Sequence, residues 1–219
     1  HLGEVRMRSH YLQQLSELEE LMGKMGGLIV SGFEEVAAAL TKPGANVVKD
    51  AANTEKRTDK KMEDIERLCS LLLLTQQPVA SDMRFIVSVM NVVVDMERIG
   101  DQIRDIAEIA SKCTKLPGAD EITEMCEHCS VMIRGALDSY IGRDVEGARR
   151  VEVRDDKVDA AFESLKTQLG ERIKTEENTD DILNYLMIGK YLERIGDHAT
   201  NIAEWTNYVV KGVKDETNA

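Results

Sequence analysis

The sequence is short of aromatic residues, of proline and of basic charge, and each shortage excludes something. Aromatics make up 4% of the 219 residues and there are 3 prolines. β-Sandwiches lean on aromatic and β-branched side chains, so this composition argues for helical bundles packed with Leu, Ile, Val, Ala and Met. Lys and Arg number 28 against 40 Asp and Glu, a net charge of −12 with no Lys/Arg-rich run. A bulk acidic chain is repelled by nucleic acid and by anionic membrane surfaces, which leaves cations as the more compatible ligands. No run approaches the ~20 apolar residues of a bilayer span. No apolar segment of a signal peptide follows His1-Leu2-Gly3, so a soluble, cytosolic protein is expected.

Histidine and cysteine are equally sparse, at 4 each. Cys126-Glu127-His128-Cys129 has the spacing of a zinc or redox site. Zinc needs a second ligand pair, and Cys113 is the one other cysteine nearby. A thioredoxin-type motif follows a strand, whereas this one lies in a helical region. These cysteines read as ordinary helix residues, kept reduced in the cytosol.

What is present is a globular composition, 42% hydrophobic and 31% charged, patterned at the helical period. Leu15, Leu18, Met22, Met25, Ile29, Phe33, Val36 and Leu40 form one stripe, predicting a helix over ~5–41 that Pro43-Gly44 ends. Further helices are predicted over ~47–75, ~80–112, ~120–141, ~144–173 and ~179–211, with breaks at Gln76-Gln77-Pro78 and Pro117-Gly118. The pattern also repeats. Glu97-Arg98-Ile99-Gly100-Asp101 recurs 96 residues on as Glu193-Arg194-Ile195-Gly196-Asp197. The same ungapped shift carries Ile106-Ala107-Glu108 onto Ile202-Ala203-Glu204, Asp59 onto Asp155, Glu63 onto Asp159 and Asp105 onto Asn201. The expected fold is therefore all-α: two tandem pseudo-symmetric three-helix bundles, residues 1–115 and 116–219, with six long helices.

Each copy carries an acidic ladder on its third helix. Glu97, Asp101, Asp105 and Glu108 share one helix face, opposite the apolar Ile99, Ile103, Ile106 and Ala110; the second copy offers Glu193, Asp197, Asn201 and Glu204. A solvated face is the plain explanation of such a pattern. Two features speak against it. Like charges at i, i+4 destabilise a helix, and Arg98 and Arg104, the nearby basic residues, are expected to point elsewhere. The preceding helix also brings carboxylates to the same level. In an antiparallel hairpin turning at Pro78, Asp59 and Glu63 come beside Glu97 and Asp101; turning near Lys174, Asp155 and Asp159 come beside Glu193 and Asp197. Four carboxylates within ~10 Å repel unless cations neutralise them. An all-oxygen set suits hard ions such as Mg²⁺, Ca²⁺, Mn²⁺ or ferric iron, and His198 is the one histidine near. Gly100 and Gly196, costly inside helices, suggest close helix packing in both copies.

Gln77-Pro78-Val79-Ala80-Ser81-Asp82-Met83-Arg84-Phe85, Asp95-Met96-Glu97-Arg98-Ile99-Gly100-Asp101 and the run from Tyr191 to Glu204 together resemble the PhoU family of phosphate transport accessory proteins and phosphate-signalling regulators. The resemblance covers nearly the whole chain. It implies a non-enzymatic, metal-binding adaptor acting as a homodimer or larger oligomer at the inner membrane face. Its expected partners are the ATPase subunit of the phosphate ABC transporter and the phosphate sensor kinase, and its expected role is to repress the starvation response when phosphate is plentiful. It also implies multinuclear metal clusters, iron or zinc first and Mg, Mn or Ca next, on Glu97/Asp101 and Glu193/Asp197 with Asp59, Glu63, Asp155 and Asp159, extended by Asp105 and Asn201. The second copy lacks the Gln-Pro-Val-Ala turn and has Asn201 for Asp105, so the two sites are expected to differ. The alternatives are a metal buffer and a carboxylate-bridged metal enzyme. The latter usually needs Glu-x-x-His inside a bundle, which is missing here. Trp205, Tyr208 and Tyr191 are the aromatic candidates for a contact surface.

Overall fold

The computed structural model describes residues 2–42, 46–75, 78–115, 119–175 and 178–212. The expected breaks at Pro43-Gly44, Gln76-Gln77 and Pro117-Gly118 and part of the turn at Lys174 lie outside them. Among the described residues the chain forms six helices and no strand: α1 (Leu2–Thr41), α2 (Val47–Thr75), α3 (Ala80–Lys112), α4 (Asp120–Gly142), α5 (Val145–Arg172) and α6 (Thr179–Lys211).

The apolar period that marks each helix also selects the face it buries. From Leu18 to Leu40 the α1 stripe is buried, with Leu15 partly buried beside it. Ile99, Ile103 and Ile106 of α3 and their counterparts Ile195 and Ile202 of α6 are fully buried. Helices α1, α2 and α3 pack on one another, as do α4, α5 and α6; α3 then packs along α6 and α1 against α4. A single continuous core runs through both halves. It is fixed by a few buried polar contacts, including Ser88 Oγ to Tyr140 Oη at 2.6 Å between α3 and α4.

Helix ends follow local chemistry. Asp144 caps α5 by accepting from Gly147 N–H at 2.9 Å, and Gly212 closes α6 at φ 78°. Arg143 ends α4 in the left-handed region at φ 54°. Its guanidinium sits 5.6 Å from the Phe85 ring centroid and 3.2 Å from Glu19, contacts that hold an otherwise unfavourable backbone. The link between the halves is pinned by Asp181. Its buried carboxylate accepts from the backbone N–H of Thr114 (2.9 Å) and of Lys115 (3.2 Å).

Candidate functional site

The α5–α6 hairpin brings together the carboxylates expected of it, and the α2–α3 hairpin brings Asp59 to Glu97 and Asp101 but leaves Glu63 exposed against Lys60. In the first, Asp59 lies in the field of Asp101 and Glu63, and Glu97 in that of Asp101 and Asp59. In the second, Asp155 faces Asp159 and Asp197, and Glu193 acts on both Asp159 and Asp197. Partial burial, reinforced by these neighbouring negative charges, raises the carboxyls of Asp59, Glu97, Asp159 and Asp197 above their ordinary range. Asp155 goes furthest, to about 7, chiefly through burial and then through Asp159 and Asp197.

Asp155 is deep because of a glycine. A Cβ on Gly196 would come 3.0 Å from Asp155 Oδ1 and 3.5 Å from Val158 Cγ1, so the bare backbone of α6 admits the carboxylate. That Oδ1 is buried and has no hydrogen-bond partner among the described residues. The first copy is looser, with Thr58 Cγ2 at 3.4 Å from the same point on Gly100. Of the two recurring glycines, Gly196 thus marks a close approach to the preceding helix, while Gly100 leaves room for a Cβ at ordinary contact distance.

Other predicted members lie elsewhere. Asp105 turns to Arg104 at 3.4 Å, and the same guanidinium pairs with Glu55 of α2 and reaches Glu108 at 3.7 Å. Asn201 leaves its own ladder altogether, donating from Nδ2 to Asp95 Oδ1 at 3.1 Å across the α3–α6 seam. His198 Nδ1 lies 2.9 Å from that same oxygen. The expectation that Arg98 and Arg104 point away from the ladder is corrected here. Arg98 stands 3.7 Å from Glu97 and 3.4 Å from Asp101, because a long, flexible side chain swings back over a face its Cα does not share. Lys60 meets Glu63 at 3.2 Å, and Lys190 pairs with Glu193.

Clustered carboxylates of this kind attract cations, whether metal ions or the basic side chains of a partner. Among the described residues no group of three or more His, Cys, Asp or Glu side chains is placed to hold a metal ion. The donors are nonetheless all oxygen, which fits magnesium, calcium, manganese or ferric iron. The second cluster fits better than the first. It has the buried Asp155 oxygen lacking a partner, and a cleft of ≈ 460 Å³ opens over Asp155, Asp156 and Asp159. The CxxC cysteines are no part of it. Cys126 and Cys129 are buried in the α4 core, with Cys129 Sγ donating to Leu192 O at 3.2 Å, and burial drives the thiol of Cys126 to about 12.

The family model of the PhoU domain matches the chain twice, over residues 22–110 and 122–206, one match for each hairpin-bearing half. The chain belongs to the PhoU family. A relative from Synechocystis sp. named "Phosphate-specific transport system accessory protein PhoU homolog" is 33% identical over 211 residues, covering 95% of this chain and 94% of its own. One of the same name from Clostridium acetobutylicum is 30% identical over 96% of this chain and 99% of its own. The crystal structure of PhoU from Pseudomonas aeruginosa superposes with a TM-score of 0.87 at 27% identity, over 93% of this chain and 100% of that one. A second PhoU fold, the phosphate transport system regulatory protein of Streptococcus pneumoniae, superposes at 0.88 with 24% identity, over 94% and 99% of the two chains. These PhoU names describe accessory and regulatory proteins rather than enzymes.

Proposed function

We propose that the protein regulates phosphate uptake and phosphate-starvation signalling as a metal-loaded adaptor. The observation that carries this reading is the double match to the PhoU domain, together with relatives whose names place them in the phosphate-specific transport system. In this reading each α2–α3 and α5–α6 hairpin takes hard cations on its carboxylates. The cations relieve repulsion along the ladder and set the surface that a partner meets. The partners are the ATPase subunit of the phosphate transporter and the sensor kinase, and docking holds the starvation response down when phosphate is plentiful. Homodimerisation and a place at the inner face of the membrane, reached through these partners, complete the proposal. Among the described residues no helix is long and apolar enough to cross a membrane.

Exposed apolar side chains near the turn of the first hairpin, Leu74, Val79 and Met83, offer the area that docking needs beside an acidic surface that screens out wrong partners. The test is co-purification of the full-length protein with its cognate transporter ATPase and sensor kinase, with and without added Mn²⁺. Retention of at least one partner, strengthened by the ion, is the expected result. Retention of neither, with or without the ion, contradicts the adaptor reading.

A further inference from the structure

The net charge of −12 hides a groove rich in basic side chains. It lies between α4 and α5, meets the carboxylate cleft at Arg149 and Val153, and encloses ≈ 770 Å³. Arg150, Arg154 and Lys157 follow one another along α5 at i, i+4 and i+7. They therefore share a face and string positive charge over about 10 Å, at 1.5 Å per residue. Arg149 joins them at the rim, and Val131, Met132 and Val153 give the groove an apolar wall.

These cations are not used up by the fold. Arg149 and Lys157 form no ion pair with any described residue. Arg150 reaches only Asp144, at 3.4 Å, and that carboxylate is already the N-cap of α5. Arg154 is half-buried and meets an imidazole where a structural arginine meets a carboxylate, its Nη1 lying 3.0 Å from His128 Nδ1. Asp138 and Glu146 also line the groove, and neither pairs with these cations.

The duplicated unit supplies an internal comparison. At the 96-residue shift, Arg149, Arg150 and Arg154 correspond to Asn53, Thr54 and Thr58, His128 corresponds to Gly32, and Lys157 alone keeps its charge, as Lys61. In the first copy Thr54 and Thr58 are buried, and α1 and α2 press together so closely that a Cβ on Gly32 would come 2.6 Å from Thr54 Cγ2. The packing of a three-helix unit therefore needs no charge at this place. In the second copy α4 and α5 also pack closely, a Cβ on Gly135 coming 3.0 Å from Val151 Cγ2, and at the places of Gly32, Thr54 and Thr58 they carry His128, Arg150 and Arg154.

We propose that the α4–α5 groove binds an oligophosphate anion, with Arg150, Arg154 and Lys157 along the phosphate chain and Arg149 at its end. Guanidinium groups suit phosphate oxygens because their paired N–H donors match them. Charges spread over this length select linked phosphates over a single phosphate ion, which reaches one or two of them at a time. The shared chemistry of nucleoside triphosphates and inorganic polyphosphates meets this requirement, and the apolar wall distinguishes the two by offering a surface to a base. Arg149 and Val153 also border the cleft over Asp155, Asp156 and Asp159, so the two sites share a rim, while Arg150, Arg154 and Lys157 face away from it; the reading is independent of partner docking.

The test is calorimetric titration of the full-length protein in EDTA with ATP, with tripolyphosphate and with orthophosphate. The same titrations are run on R149Q/R150Q/K157Q, on R154K and on R98Q, which alters a cation on the other hairpin. The three glutamines replace exposed side chains, and thermal melting by circular dichroism checks that the helices persist. Charged hydrogen bonds each contribute enough for about a tenfold change in affinity. The triple variant is therefore expected to bind tripolyphosphate or ATP at least about a hundredfold more weakly, R154K to retain binding in part, R98Q to match the wild type, and orthophosphate to bind far more weakly than either. ATP binding tighter than tripolyphosphate identifies a nucleotide site; equal binding identifies a site for the bare chain. Absence of binding by both oligophosphates, or equal binding by the wild type and the triple variant, overturns the proposal, and because EDTA removes metal either result leaves the adaptor reading to its own test.

Discussion

Asp155 shows how a single residue couples burial, charge and stability. Its folded-state pKa of about 7 stands above the ordinary value of 3.8, so folding favours the protonated form. The stabilisation from that proton is complete below the ordinary carboxylate range and is lost as pH rises through about 7. Asp59, Glu97, Asp159 and Asp197 are raised too and act in the same direction. Metal-free protein is therefore expected to lose melting temperature as pH rises from 5 to 8, and D155N to flatten much of that slope and melt higher at pH 8. Differential scanning calorimetry in EDTA checks this; a variant that melts lower than the wild type at pH 8 contradicts it. A divalent cation should reverse the wild-type slope, since it binds the ionised carboxylates. At this scale the sequence was legible in part. Pairing residues about the hairpin turns puts Asp59, Asp155 and Asp159 in the field of carboxylates on the facing helix, whereas Glu63 stays exposed against Lys60 of its own helix. The depth of Asp155 was not legible, because it depends on how tightly α5 meets Gly196. Nor was the return of Arg98 to the ladder, which lies in the torsions of a long side chain.

At the scale of the helices, hydrophobic period and Pro/Gly punctuation placed all six elements, with ends within a few residues of those observed. The glycines separate into two kinds. A Cβ on Gly32 would come 2.6 Å from Cγ2 of the stiff, β-branched Thr54, whereas one on Gly100 would make ordinary contact at 3.4 Å from Thr58. G32A is expected to cost about 1–3 kcal/mol through overpacking. G100A should be neutral or stabilising, because Ala is favoured over Gly in a helix interior by about 1 kcal/mol. Urea denaturation of both variants checks the pair, and equal effects contradict the packing argument. Periodicity could not separate these glycines, since what decides each one is the neighbouring helix. The left-handed Arg143 was equally hidden, because its backbone is held by Phe85 and Glu19, distant in sequence.

At the scale of the molecule, the duplication announced two units and the structure joins them through one core. The seam between α3 and α6 carries the polar set Asp95, His198 and Asn201, with both partners converging on one Asp95 oxygen. A sequence wheel assigns Asn201 to the acidic ladder because it follows Asp197 at i+4; the partner it meets belongs to the other copy and carries no mark in the local pattern. Removing the acceptor leaves two partly buried polar groups unpaired, at a cost of about 1–3 kcal/mol. D95A is therefore expected to lower stability by that order and to speed hydrogen exchange in both α3 and α6. Faster exchange in α3 alone would show that the seam does not tie the halves.

The central claim is that the two ladders are cation sites, and elemental analysis of untagged protein incubated with iron, zinc or manganese tests it most directly. The comparison is with a variant carrying Ala at Glu97, Asp101, Glu193 and Asp197. Ions bound by the wild type and lost by the variant, with D155N alone losing those of the second hairpin, are the expected result. A wild type that stays metal-free after incubation, or a quadruple variant that binds as many ions as the wild type, contradicts it and leaves the ladders as acidic surface.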